Sequence, residues 1–420
     1  MASIAGSSEV VELKCAVQCY AWGKIGLTST VAQLAQQSPS FKLEEDKPYS
    51  EFWMGTHPNG PSTVLGKGKE ILLSEWIESN KDVLGEAVKE ACDSKLPFLL
   101  KVLSVNKALS IQAHPNKVHA AFLHREKPEI YKDPNHKPEM AIALTPFEGL
   151  CGFRPLAEIQ NFVKTIPELA AVIGQEAADA VAASSSGYDG LKKAFTALMT
   201  CSPAVISLQL NKLFKRITEK KSSGDDLSSY CGELLLRLNS QFPGDGGCFC
   251  IYFLNHIVLK PGEAMFLGPN LPHAYLAGDC VECMACSDNV VRAGLTPKLK
   301  DVDTLCEMLD YSCRSKEENI FPCHQDPNDP YTTIYDPPVP DFAVARIQIP
   351  SSCSMYKFQA LNGPSIAIAI SGSGSIDKSF ASITVRRGTV VFIPANTSFD
   401  FKCGGEDTEI YRAYCILKEQ

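Results

Sequence analysis

The hydrophobic pattern changes its period twice along the chain, and this constrains the fold more than any other feature of the sequence. From residue 155 to about residue 242, apolar residues recur at i, i+3, i+4 and i+7, which predicts amphipathic helices. The predicted helix faces are Ile159, Phe162, Val163 and Ile166; Ile206, Leu210, Leu213 and Ile217; and Leu227, Cys231, Leu234 and Leu238. On both sides, short apolar runs are broken by proline and glycine, as in strands and loops. The sequence therefore predicts a mainly β protein with an α-helical insert.

Two strand-and-turn segments in the last part of the chain resemble each other at a constant offset of 126 residues. The matched pairs are Gly262 with Gly388, Phe266 with Phe392, and Asn270 with Asn396. Each copy has a turn glycine, a buried strand and a bend, as expected for hairpins of two small β-barrels. The same offset matches His273 with Phe399, so we expect a packed, metal-free core in the second barrel.

Composition and charge argue against several classes of protein. A net charge of -8 with mixed signs does not favour nucleic-acid binding, which uses a strongly basic face. No apolar run approaches the ~20 residues that span a bilayer, and residues 1–10 lack the basic start and apolar stretch of a signal peptide. The 17 cysteines lie in apolar contexts, as buried thiols of a reducing compartment do. We expect a cytoplasmic protein without a membrane or nucleic-acid partner, and a monomer, because no coiled-coil pattern is present.

Polar and apolar residues alternate over residues 109–114. On a strand this pattern places Ser110, Gln112 and His114 on one face. That face either points to solvent or lines a barrel interior that binds something, and the segment alone leaves both interpretations open.

Two further segments add metal-binding residue types. Glu139 enters an apolar strand, where an isolated buried charge is costly and a cation is needed, and His273 follows a strand and precedes a loop. Together with Gln112 and His114, they supply two nitrogen and two oxygen donors. This set suits zinc, and manganese or cobalt less well. Spacing alone does not show that the four converge.

Other candidate sites have competing explanations. Cys280, Cys283 and Cys286 form a C-x-x-C-x-x-C run, but no Cys-Pro follows it, so buried thiols are favoured over an iron–sulfur cluster. Arg292 follows an apolar pair and precedes a glycine bend. It is either a surface ion-pairing residue or a fork that binds phosphate or a developing oxyanion.

Along nearly its whole length the sequence resembles the type I mannose-6-phosphate isomerase (phosphomannose isomerase) family. The matching motifs are YAWG at 20–23, EFWMGTHP at 51–58, LSIQAHPNK at 109–117, NHKPEM at 135–140, CGFRP at 151–155, PHAY at 272–275, GDCVECM at 278–284 and RAGLTPK at 292–298. The resemblance implies cupin-type jelly-roll barrels and a helical domain. We expect a catalytic barrel from residues 1–154 and 246–330, a helical domain at 155–245 and a C-terminal jelly-roll domain at 331–420.

The resemblance also implies an activity. This activity is the reversible conversion of mannose 6-phosphate to fructose 6-phosphate through an enediol, which would connect glycolysis with mannose and GDP-mannose supply for glycosylation. One zinc ion per chain would be bound by Gln112, His114, Glu139 and His273, and Arg292 would be catalytic. The zinc would either polarise the substrate oxygens or be structural.

The remaining roles are hypotheses for the same reaction. Glu282 is the preferred proton-transfer base, since burial would raise its pKa, and Lys137 is the second candidate. Arg292 would stabilise the enediolate or hold the phosphate. Further substrate-binding candidates are Ser110, Lys101, His136, Tyr275, Asp279 and Lys298. Two alternatives stay open: an isomerase of another sugar phosphate, and a cupin-type protein that binds sugar phosphates without catalysis.

Overall fold

The computed structural model describes residues 9–38, 40–66, 70–185, 188–377 and 382–417, so most of the segment considered for a signal peptide lies outside it. The first part of the chain forms β1 (Val11–Lys14), β2 (Ala16–Gln18), β3 (Lys24–Ile25), α1 (Thr30–Ala35), β4 (Pro48–Tyr49), β5 (Glu51–Met54), β6 (Thr63–Val64), β7 (Ile71–Leu72), α2 (Leu73–Ser79), α3 (Glu86–Ala91), β8 (Phe98–Val105), β9 (Ile111–Ala113), α4 (Lys117–Glu126), β10 (Glu139–Ala143) and β11 (Phe147–Phe153).

The rest of the chain comprises a run of helices followed by strands. The helices are α5 (Leu156–Thr165), α6 (Pro167–Ile173), α7 (Gln175–Ala183), α8 (Tyr188–Thr200), α9 (Pro203–Ser222) and α10 (Gly232–Gln241). They are followed by β12 (Leu254–Leu259), β13 (Ala264–Leu267), β14 (His273–Ala285), β15 (Val291–Gly294), α11 (Val302–Met308), β16 (His324–Gln325), β17 (Thr332–Tyr335), β18 (Ala343–Ile349), β19 (Met355–Phe358), β20 (Ser365–Ser371), β21 (Ser373–Ile376), β22 (Ile383–Arg386), β23 (Val390–Ile393), β24 (Phe399–Cys403) and β25 (Thr408–Tyr414).

The helical insert is present and packs as one unit against the first barrel. On α9 the predicted apolar face Ile206, Leu210, Leu213 and Ile217 is buried, and Ser202 caps the helix by accepting a hydrogen bond from Val205 N–H. No helix of the described chain combines the length and apolar character that crossing a bilayer requires.

The prediction of a single helix through Leu227, Cys231, Leu234 and Leu238 is wrong at its start. Cys231 has left-handed backbone (φ 48°), and the α-helix begins at the next residue, Gly232. A cysteine in that conformation interrupts the helical hydrogen bonds, so the spacing of apolar residues continues across a break in the backbone.

The strands before and after the insert form one ten-stranded sheet that curls into the first barrel. Along the main path the strand order is β12-β11-β14-β8-β5-β2, and β10, β13, β9 and β15 extend it from β14. The long strand β14 is the centre of this arrangement, because it pairs with β8, β9, β10 and β11. Residues far apart in sequence are therefore brought together around β14.

The C-terminal strands form a second barrel, and the structure confirms the internal repeat. Strands β13 and β23 begin 126 residues apart, as do β14 and β24. The matched glycines have φ angles of 87° and 90°, and the matched asparagines, Asn270 and Asn396, have φ angles of 64° and 57°. Four left-handed positions at the same offset mark two copies of one hairpin-and-bend unit.

The two barrels share elements and contacts. Strand β1 pairs with β6 and with β23, so an N-terminal strand lies inside the C-terminal nine-stranded sheet. Each turn glycine of the repeat contacts the other half of the molecule, Gly262 at Arg346 and Gly388 at the carbonyl of Leu34. The domain boundaries given above remain a prediction.

Candidate metal centre and substrate cavity

Three potential metal ligands converge at one end of the first barrel. His273 begins β14, His114 directly follows β9, and Glu139 begins β10. Both β9 and β10 pair with β14, which brings the three side chains together from positions up to 159 residues apart. Their donor atoms all lie within 4.8 Å of one another, and all three residues are buried.

The geometry of these donors fits a metal ion. Nε2 of His114 and Nε2 of His273 each lie 3.3 Å from the same oxygen, Oε2 of Glu139. None of the three atoms has a hydrogen-bond partner among the described residues, although all are buried. Two ligand atoms ~2.0–2.1 Å from a tetrahedral zinc lie ~3.3 Å apart. The buried centre therefore has the spacing and the unsatisfied donors of a zinc site.

The second nitrogen of each imidazole fixes the orientation of the ring. His114 Nδ1 donates to the carbonyl of Asn289 at 2.5 Å, and His273 Nδ1 donates to the carbonyl of Leu271 at 2.8 Å. Because Nδ1 carries the proton, the lone pair of Nε2 faces the centre.

The protonation states of His114 and Glu139 are also those that metal ligands need. Burial lowers the pKa of His114 to about 4, so this imidazole is neutral at physiological pH. Burial alone would raise the pKa of Glu139, but the ammonium group of Lys137, 3.0 Å from Oε1, holds it well below its usual value. Neutral imidazoles and an ionised carboxylate are the forms that bind metal ions.

Gln112 lies next to this centre in the sheet. Its Cα is the ladder partner of His273 on one side and of Arg292 on the other. Alternation along the strand puts Gln112 on the same face as His114, and Gln112 lines the adjoining cavity.

A row of buried charges extends from the centre into the barrel. Lys137 Nζ lies 3.0 Å from Oε1 of Glu139, and Lys101 Nζ lies 3.0 Å from Oε2 of Glu282. Tyr275 donates its hydroxyl hydrogen to Oε1 of Glu282 at 2.8 Å. Burial raises the pKa of Glu282, although Lys101 opposes this shift.

A cavity of about 500 Å³ opens beside the centre. Six of the residues predicted from the sequence line it: Lys101, Ser110, Gln112, Lys137, Arg292 and Lys298. Neither Arg292 nor Lys298 has an ion-pair partner among the described residues. The cavity therefore offers unpaired cations to an anionic ligand, within a chain of negative net charge.

Other predicted residues lie outside the wall of this cavity. Asp279 is buried in an ion pair with Lys24 at 2.5 Å, and His136 Nε2 lies 3.1 Å from both carboxylate oxygens of Asp341. Tyr275 and Glu282 are not among the described residues that line the cavity; they contact each other, and Glu282 also contacts the lining residue Lys101.

The cavity also includes residues that the sequence analysis did not single out. They are Trp22, Trp53, His57, Glu51, Asp288 and Phe242. His57 Nε2 lies 3.3 Å from Oδ1 of Asp288, and this contact holds the pKa of Asp288 below its usual value. The motif at 51–58 contains three of these residues, so its polar and aromatic side chains were the available signal.

Comparisons with known proteins agree with this architecture. Sequence models of type I phosphomannose isomerase match the chain as a catalytic domain at residues 10–156, a helical insertion domain at 167–254 and a C-terminal region at 333–380. The mannose-6-phosphate isomerase of Bos taurus is 51% identical over 98% of this chain and 100% of that protein. The human enzyme is 51% identical over 97% of this chain and 99% of its own length.

Comparison with solved structures also finds mannose 6-phosphate isomerases. The mannose 6-phosphate isomerase of Salmonella typhimurium bound to fructose 6-phosphate and zinc aligns with a TM-score of 0.82 and 28% identity, covering 97% of this chain and 100% of that one. A zinc-bound form of mannose 6-phosphate isomerase aligns equally well, at 29% identity.

Two cupin-type barrels, a helical insert and a buried His–Glu–His centre beside a basic cavity, taken together with these matches, place the chain in the class of metal-binding sugar-phosphate isomerases. The chain belongs to the type I phosphomannose isomerase family. It is an enzyme, and its activity is mannose-6-phosphate isomerisation.

Proposed function

We propose that the chain interconverts mannose 6-phosphate and fructose 6-phosphate by moving a proton between C2 and C1 through an enediol, with one zinc ion bound by Gln112, His114, Glu139 and His273. The observation that carries the zinc assignment is the convergence of three buried donor atoms for which the described residues offer no hydrogen-bond partner. Gln112 is the fourth ligand in this proposal because it is the cross-strand neighbour of His273.

A zinc ion bound there supplies Lewis-acid polarisation of the two substrate oxygens that exchange the carbonyl. The chain's own residues do the rest. Arg292 and Lys298 line the cavity and have no ion-pair partner in the described part of the chain, so they are suited to the phosphate group, and Arg292 also to the negative charge of an enediolate. Ser110 lines the same wall and can donate its hydroxyl hydrogen to the phosphate.

For the proton transfer we propose Glu282 as the base. Its raised pKa moves it toward the range in which a carboxyl group can both accept and return a proton. Lys101 lines the cavity and contacts Glu282, which gives this carboxyl group a polar connection to the substrate. Lys137 is the second candidate, favoured by one observation: it lines the cavity directly.

The biological setting follows from the reaction. The product and substrate connect glycolysis with the supply of mannose and GDP-mannose for glycosylation. A cytoplasmic location is supported by the 17 cysteines, all of which are free thiols. A monomeric state stays a prediction that size-exclusion chromatography with light scattering tests.

The deciding experiment is a coupled assay for fructose 6-phosphate formed from mannose 6-phosphate, before chelation, after chelation and after zinc is returned. We expect turnover to disappear with the metal and to return with zinc. Folded, metal-free protein with full turnover would contradict the Lewis-acid role. A panel of other aldose phosphates separates this activity from an isomerase of a different sugar phosphate.

A further inference from the structure

The end of the helical insert holds the backbone of a loop that lines the cavity. The side chain of Asp245, four residues after α10, accepts hydrogen bonds from three backbone N–H groups. Oδ1 accepts from Gly247 at 2.7 Å and from Leu295 at 2.9 Å, and Oδ2 accepts from Thr296 at 3.1 Å. One carboxylate therefore joins the insert to the segment that follows β15.

The backbone at this junction is packed too closely for side chains. A Cβ on Gly294 would lie 2.6 Å from Cα of Gly247, and a Cβ on Gly247 would lie 2.5 Å from the nitrogen of Leu295. Leu295 itself has left-handed backbone, with φ 53°. A non-glycine residue in that conformation costs ~1–3 kcal/mol and persists only when its surroundings hold it there. The two hydrogen bonds that the N–H groups of Leu295 and Thr296 donate to the Asp245 carboxylate are such a constraint.

The constrained loop carries residues of the cavity wall. Arg292 precedes it, and Thr296 and Lys298 lie within it; all three line the cavity. The neighbouring segment of the wall, which leads into β9, is held from the same region, because Oε1 of Gln241 accepts a hydrogen bond from Ala108 N–H at 3.0 Å, two residues before Ser110. The insert thus contacts the backbone of both segments that present phosphate-binding candidates.

We propose that Asp245 is a positioning residue that sets the phosphate-binding end of the cavity by fixing the backbone of residues 295–298, which directly follow β15 and its Arg292. The proposal rests on the assignment of Arg292 and Lys298 to the substrate phosphate. Because phosphate binding depends on charge and on the directions of hydrogen bonds, a shift of the loop by about 1 Å weakens both. Asp245 itself makes no contact with the substrate in this proposal.

The test is Asp245→Ala and Asp245→Asn in the zinc-loaded enzyme. The readouts are KM for mannose 6-phosphate, the inhibition constant of inorganic phosphate, and Tm. We expect Asp245→Ala to raise KM and the inhibition constant together by about tenfold or more. Asp245→Asn keeps one acceptor oxygen for Gly247 and Leu295, so we expect a smaller rise in KM and in the inhibition constant. This variant also tests the proposal if the alanine variant does not fold.

The matched control is Asp329→Ala. The Asp329 carboxylate accepts hydrogen bonds from Tyr331 N–H and from the hydroxyls of Thr332 and Tyr356, in the C-terminal part of the chain. We expect this variant to lower Tm while leaving the phosphate inhibition constant unchanged. If both Asp245 variants lowered Tm but left the inhibition constant at the wild-type value, Asp245 would be purely structural and the proposal would be overturned.

Two further variants separate this proposal from the assignment on which it rests. If Arg292→Ala and Lys298→Ala leave the inhibition constant of phosphate unchanged, the phosphate does not bind at this end of the cavity, and both ideas fail. If those variants raise the constant and the Asp245 variants do not, the phosphate assignment stands and the positioning role alone is rejected.

Discussion

At the scale of single residues, the surroundings of each group set its chemical state in this site. The two imidazoles of the centre donate through Nδ1 to backbone carbonyls, which leaves Nε2 of His114 and His273 free to bind a metal ion. The ammonium group of Lys137 keeps Glu139 ionised despite its burial. The donor set is therefore prepared by the polypeptide before any ion binds.

Gln112 gives the first prediction at this scale. We expect Gln112→Ala to weaken zinc binding by at least tenfold, because even outer-shell partners of metal ligands contribute ~10–100-fold to affinity. The measurement is competition for zinc with a chromogenic chelator. Ser110→Ala is the control, since Ser110 shares the strand face without being a proposed ligand. Unchanged affinity in Gln112→Ala would remove it from the ligand set.

The base assignment gives a second prediction. We expect Glu282→Gln to reduce turnover by ~10²-fold or more with little change in KM, since the amide keeps the hydrogen bond from Tyr275 but cannot take a proton. Lys137→Met should have a smaller effect on turnover if Glu282 is the base. Initial-rate kinetics of both variants decide between them, and near-normal turnover in Glu282→Gln would assign the role elsewhere.

Local rules in the sequence indicated single metal donors, but the resemblance to a known family was needed to join the four into one predicted site. Alternation placed Gln112 and His114 on one strand face, and a carboxylate at the start of an apolar strand required a cation. The same reasoning could not place Asp279, whose partner Lys24 lies 255 residues away, or His136, whose partner Asp341 lies 205 residues away. Such contacts depend on which strands meet, and local pattern does not contain that information.

At the scale of elements, the repeat of turn, strand and bend has a packing consequence. Gly388 lies in the turn before β23, and a Cβ there would lie 2.1 Å from the carbonyl oxygen of Leu34 at the end of α1. This glycine is required both for its left-handed backbone and for the close approach of two elements.

Comparing two glycines separates these requirements. Gly405 also has left-handed backbone, at φ 86°, but no atom of the residues that the structure describes lies within 4 Å of its Cβ position. We expect Gly405→Ala to cost about 1 kcal/mol of unfolding free energy from backbone strain alone. Gly388→Ala should cost clearly more, because the backbone of α1 must also move. Urea unfolding measures both, and equal costs would mean that the contact with Leu34 relaxes freely.

The helix predictions were right where apolar spacing alone decided the structure, and they failed where the local backbone conformation opposed that spacing. The helix face on α9 follows from spacing alone and is buried as predicted. The segment around Cys231 has equally good spacing, but its backbone turns left-handed before Gly232. Periodicity reports which residues are buried, and it does not report whether the backbone between them is continuous.

At the scale of the whole molecule, a charged cluster connects the helical insert to the first barrel. Glu148 on β11 contacts Arg237 on α10 and His256 on β12. Burial alone would raise the pKa of Glu148, but the hydrogen bonds from His256 and Arg237 lower it to about 2. A folded-state pKa below the unfolded value of ~4.3 means that the ionised carboxylate stabilises the fold above about pH 5.

This stabilisation should be lost as the pH falls from about 5 toward 2. We expect Glu148→Gln to lower the free energy of unfolding at neutral pH and to reduce its dependence on pH over this range. The measurement is urea unfolding of metal-free protein at several pH values, because the metal ligands also bind protons in acid. Glu176→Gln, at an exposed ion pair with Lys193, is the control and should change the slope little. An unchanged slope in Glu148→Gln would show that other carboxylates dominate acid unfolding.

The pairing of β1 with β23 has a consequence for folding during synthesis on the ribosome. Val11 is the ladder partner of Phe392, so 381 residues separate two neighbours in one sheet. At ~5–20 residues per second, a ribosome needs roughly 20–75 s between the synthesis of the two strands. During that interval the edge of β1 that later meets β23 has no partner strand from its own chain, and an unpaired edge is a site for association with other chains. Strand β23 thus completes a sheet edge that β1 has presented since much earlier in synthesis, and that edge is open to association with other chains throughout the interval.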